Sequence, residues 1–132
     1  MKKKIIIFRQ NNMPTTNAGN FIPLAEAITM TSTFRKQKEL ILNPIYQGKN
    51  ILPICETFDR SLFESILQQP GCAGIRLYFA MDNLLKVHAV MVGVNGNNED
   101  MLPSIEMDNT IQIIEEGTRC PDNCPPSSSL NS

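Results

Sequence analysis

The sequence predicts an α+β fold, two helices packed on a small antiparallel sheet with a central hairpin over 74–94 and flexible termini. Three observations carry that expectation. Leu24, Ala27, Ile28, Thr31 and Phe34 recur at helical spacing, and so do Phe58, Leu62, Phe63, Ile66 and Leu67. Between Gly74 and Val94 two strand-like runs sit close enough together to pair as a hairpin, and Asn95-Gly96 follows as a strong turn signal.

The elements follow in order. Residues 1–20 form a basic, polar lead-in, with Pro14 and Gly19 and no periodicity in 9–20. The first helix is expected from Pro23 to about Leu42. Asn20 is placed to cap it, and Asn43-Pro44 stops it because the residue before proline avoids helical backbone. Ile51–Cys55 contains Pro53, which has no N–H to donate, so it reads as an edge strand or extended segment. Thr57 or Asp59 caps the second helix, and Pro70-Gly71 ends it. In Ile75–Phe79 the apolar Ile75, Leu77 and Phe79 share one face, Arg76 and Tyr78 the other. A further strand is expected at Thr110–Ile114. The Pro/Ser-rich tail 116–132 holds Cys120 and Cys124 and too little apolar surface to fold alone. The domain itself is read as 21–115.

With 132 residues the chain suffices for one modest core. The net charge of −1 disfavours a dedicated nucleic-acid binder, and Lys2–Lys4 have only Phe8 nearby for base stacking. The total conceals a split. Residues 1–49 hold eight basic and two acidic side chains, a net of +6, and the remainder holds four and eleven, a net of −7. Such polarity suits either internal pairing or a docking surface. No run of about 18 apolar residues is present to span a membrane. Lys2–Lys4 followed by Ile5–Phe8 imitates a secretory signal, but Arg9 ends the apolar run too soon. The expected location is therefore the cytoplasm, where thiols are normally reduced.

Cys55, Cys72, Cys120 and Cys124 are the available thiols and His88 is the only histidine. Cys120-Pro-Asp-Asn-Cys124-Pro permits three states. Its two thiolates can reach one zinc ion, with Cys72 and His88 completing a four-ligand set if the tail folds back across the hairpin. They can form a disulfide or switchable dithiol, although the spacing is one residue longer than the redox Cys-x-x-Cys. They can also remain free. Cys72, at a helix-to-strand corner, reads as a small buried thiol, since no base is visibly placed beside it. His88 shares a face with Lys86 and Val90 and reads as a partly exposed surface histidine.

Asn95–Asp100 with Glu106 superficially follows a calcium loop. However, Asp100 stands where the sharp turn requires glycine, and Pro103 occupies the ninth position. Glu115 and Glu116 point to opposite faces of a strand and form no catalytic dyad. Phosphate-loop, nucleophile-elbow and H-E-x-x-H patterns are absent.

The run Leu67-Gln-Gln-Pro-Gly-Cys-Ala-Gly-Ile-Arg-Leu-Tyr78, then Val90-Met-Val-Gly-Val94 and the terminal Cys-Pro-x-x-Cys-Pro, resembles a family of small uncharacterised bacterial proteins of this length. The likeness extends upstream to the helix from Leu24-Ala-Glu-Ala27 to Phe34-Arg35 and takes in most of the chain after residue 20. It implies an architecture and no activity. Family members tend to carry Gly at the position of Ala80 and Asp at that of Asn95, and the second departure weakens a metal role for the turn. The expectation is a non-enzymatic protein-interaction module that binds another protein through a sheet face or its charged ends. The alternative is a thiol-redox or zinc-stabilised protein centred on Cys120 and Cys124.

Overall fold

In a computed structural model, residues 18–103 and 112–132 are described. The helices are α1 (Leu24–Gln37) and α2 (Arg60–Leu67). The strands are β1 (Cys55–Thr57), β2 (Cys72–Met81), β3 (Val87–Asn95) and β4 (Thr118–Cys120). A 3-10 turn spans Pro44–Tyr46. β1 pairs with β4, and β2 pairs with β3. The five-residue connection 82–86 makes the β2–β3 pair antiparallel. The expected α+β class and central hairpin are therefore present.

The chain forms two compact units, one built from 59–78 and 90–115, the other from 19–58, 79–89 and 116–132. The stretch 21–115 contributes to both.

In the first unit α2 begins after Asp59, which holds the capping position with extended backbone but whose side chain accepts no capping hydrogen bond. Ile66 is fully buried, with Met91, Val92 and Ile114 also in the core. Gly93 lies over this helix, and an added Cβ there would meet Cys72 Sγ at 3.1 Å and Ile66 Cγ2 at 3.2 Å. Only glycine permits that approach without movement of its neighbours. Asn95 marks the turn as expected. Its side-chain oxygen accepts from the Asn97 and Glu99 N–H groups, and the chain returns to bridge Val94 with Asp100. Of the strand expected at Thr110–Ile114, residues 110–111 lie outside the described residues. Ile114 makes an isolated antiparallel bridge to Met91.

In the second unit α1 starts at Leu24 with Pro23 as its N-cap, so Asn20 does not cap it. Proline needs no partner for an N–H it lacks, and its fixed φ suits a helix start. Ala27, Ile28, Thr31, Ser32 and Arg35 are half-buried, whereas Leu24 and Phe34 of the expected stripe are exposed. Thr29, Thr31 and Thr33 each donate to the carbonyl four residues back, which satisfies their hydroxyls within the helix. The helix stops at Gln37, five residues before the expected end. Residues 38–42 continue as turns, in which Leu42 N–H bonds Glu39 C=O three residues back. β4 lies in the stretch to which the sequence assigns no element. It joins β1 in the register Cys55–Cys120, Glu56–Arg119 and Thr57–Thr118.

Burial does not separate the two faces of β2, where Ile75 and Arg76 are both half-buried. Leu77 and Phe79 are exposed, at 46% and 84%. Arg76 and Tyr78 share a face and both engage the Asp100 carboxylate, which ties that face to the turn after β3.

Candidate functional site

The outer edge of β3 is closed along its length by groups from outside the hairpin. In the second unit Val87 N–H donates to Ile51 C=O at 2.8 Å, and Val87 C=O accepts from Arg119 Nε at 3.0 Å. Ala89 N–H donates to Glu56 Oε1 at 2.8 Å. Glu56 and Arg119 are directly opposed on β1 and β4, so their side chains replace a missing neighbouring strand. Arg119 is 5% exposed and also donates to the Asn50 and Ile51 carbonyls and to Asp122. In the first unit Met91 exchanges two bonds with Ile114, and Gly93 C=O accepts from Met101 N–H.

β2 differs. Among the described residues, the backbone of Ile75–Met81 pairs with β3 alone. Asp82 N–H donates to Lys86 C=O, which sets the ladder so that even-numbered residues of β2 face β3. The N–H and C=O groups of Ile75, Leu77 and Phe79 then point away from the hairpin. Leu77, Tyr78, Phe79 and Met81 around this edge are all exposed.

The four residues singled out as metal ligands are distributed over both units. Cys120 and Cys124 are joined in a disulfide. His88 belongs to the same unit as that disulfide, whereas Cys72 belongs to the other. Cys72 is half-buried and its thiol donates to Gly74 C=O at 3.3 Å. His88 Nε2 lies 2.7 Å from Asp82 Oδ2, so a partner that the sequence does not reveal is six residues upstream, across the hairpin connection. This bond, followed by the Lys86 and Leu84 N–H groups, holds the Asp82 carboxyl below its ordinary range. Among the described residues, no three His, Cys, Asp or Glu side chains are grouped to hold a metal ion.

The calcium-like turn directs its oxygens elsewhere. Asn95 Oδ1 accepts two backbone N–H groups. Asp100 accepts from Tyr78 and Arg76, and in that order these bonds lower its carboxyl's pKa. The same bonds raise Tyr78 and Arg76 above their ordinary values.

Cys55 is a site residue that the sequence does not reveal. It is a free, half-buried thiol on β1, directly opposite Cys120 on β4. Nothing within either short segment announces that register, because the two positions lie far apart in the chain. Among the described residues no helix is long and apolar enough to cross a membrane. No family model, curated protein or solved structure matches this chain.

Proposed function

We propose that this protein is a non-enzymatic interaction module that captures an extended segment of another protein along the open edge of β2. The observation that supports this reading is the contrast between the two edges of one hairpin. The β3 edge is closed by side chains and returning loops, whereas among the described residues β2 presents an uncovered edge over Ile75–Met81 without proline or lysine. Proteins ordinarily protect such an edge with charge, proline or a bulge, because unpaired N–H and C=O groups recruit further strands. Exposed Leu77, Phe79 and Met81 beside it supply alternate apolar contacts, the pattern by which strand addition acquires specificity.

Leu77→Pro tests this directly. It removes an outward N–H without touching the bonds to β3, a position where edge strands tolerate proline. Affinity capture at low and physiological salt should return a reproducible protein with the wild type. Leu77→Pro and Phe79→Lys should lose it, with their circular dichroism unchanged. Equal capture by the folded variants, or no reproducible partner at either salt, refutes the reading.

A further inference from the structure

The register of the small β1–β4 sheet brings three sulfurs together. Cys120 is 3% exposed and already bonded to Cys124. Cys55, unbonded, is its direct cross-strand neighbour. Ile54 N–H also donates to Cys120 C=O at 2.9 Å, which secures the strands at this point. Directly opposed residues on paired strands place their Cβ atoms about 4.5–5.5 Å apart. A disulfide holds them at about 3.5–4.5 Å, so closure by roughly 1 Å suffices to connect Cys55 to Cys120.

We propose that Cys55, Cys120 and Cys124 form an internal thiol–disulfide exchange relay. Cys55 loses its proton to water, and the thiolate attacks Cys120 Sγ. The Cys55–Cys120 bond forms as the Cys120–Cys124 bond breaks. The electron pair leaves on Cys124 Sγ, which takes a proton from water. One disulfide and one thiol are present before and after, so no external oxidant or reductant enters the step.

The two states differ in what they bind together. Before exchange the bridge closes a short loop that starts at the last residue of β4. After exchange it clamps β4 to β1, and Cys124, which is surface-exposed, becomes a free thiol. The buried position of Cys120 shields the central sulfur from bulk thiols, while Cys55 already lies across the strand pair from it. The relay thus moves the free thiol from a half-buried position to an exposed one. It requires no zinc and is independent of the β2 edge.

The test uses the full chain, purified without reductant and incubated at a series of pH values. Samples are quenched in acid, alkylated, digested and mapped by mass spectrometry. A Cys55–Cys120 linked peptide should appear together with alkylated Cys124. Its rate should rise with pH, because the thiolate is the attacking species. Cys55→Ser should leave Cys124 protected, and Cys72→Ser should exchange like the wild type. Absence of the Cys55–Cys120 peptide at every pH overturns the relay. So does comparable linkage through Cys72, the other free cysteine, since that reports scrambling in an unfolded chain.

Discussion

Replacing Arg119 with methionine should destabilise the unit built around β1 and β4 by several kcal/mol. The guanidinium is almost wholly buried, and its acceptors are mainly backbone carbonyls: Val87 at 3.0 Å, Asn50 at 3.0 Å and Ile51 at 3.1 Å. Ile51 C=O retains a second donor, Val87 N–H, but the other two carbonyls lose their Arg119 bonds. Buried ion pairs can often be exchanged for apolar side chains at little cost, because both charges disappear together. Here the partners are main-chain groups that no substitution at position 119 removes. Hydrogen bonds to a charged donor contribute about 1.5–3 kcal/mol each, and an orphaned buried acceptor costs about 1–3 kcal/mol. A loss of about 3–5 kcal/mol follows. At a urea slope of about 2 kcal/mol/M this moves the midpoint down by roughly 1.5–2.5 M. Arg119→Lys should recover only part of the loss, since one ammonium cannot reproduce the planar fork. Asp122→Asn should cost under about 1 kcal/mol, because that carboxylate is half exposed. A methionine variant within about 1 kcal/mol of wild type would show that the carbonyls find other donors and would refute the reasoning.

Ile66→Ala empties a fully buried position and should cost about 2–5 kcal/mol in a denaturant titration; a loss below about 1 kcal/mol would mean that the first unit collapses around the gap. Gly117→Ala drives a methyl into the Phe58 ring, with ring carbons Cε2 and Cε1 closer than 3 Å. It should destabilise by about 1–3 kcal/mol, and Phe58→Leu in the same chain should relieve part of that cost in a double-mutant cycle. The Asp82 and Asp100 carboxyls have folded values below their ordinary ones, so each contributes stability that is present above the unfolded value near pH 4. That contribution is lost as pH falls through the folded value. Asp100→Asn should accordingly flatten the acid limb of stability against pH, as measured by thermal unfolding, and an unchanged limb contradicts the assignment.

Short-range patterns were the legible part of this chain. The apolar spacing around Phe63 and Ile66, closed by Pro70-Gly71, marks α2, and Asn95-Gly96 marks the end of β3. Alternation identified β2 as a strand and grouped its residues by face. Period-two alternation says which residues share a face and nothing about which face is covered. The Arg76–Tyr78–Asp100 cluster lay beyond such short-range patterns, because Asp100 reaches it only after the turn at Asn95 has folded the chain back. His88 appeared partnerless because Asp82 meets it only across the hairpin connection.

From the sequence alone came the α+β class, the two helices, the hairpin and the positions where proline and glycine interrupt them. Each of these rests on sterics and hydrophobic periodicity confined to windows of a few residues. Tertiary structure alone decided that Arg119 is buried, that among the described residues the β3 edge is covered and the β2 edge is not, and that Cys55 faces Cys120. Those outcomes depend on which distant segments pair and in what register. Their selection follows from the competition among all segments for burial and hydrogen bonds, and no local window contains that information.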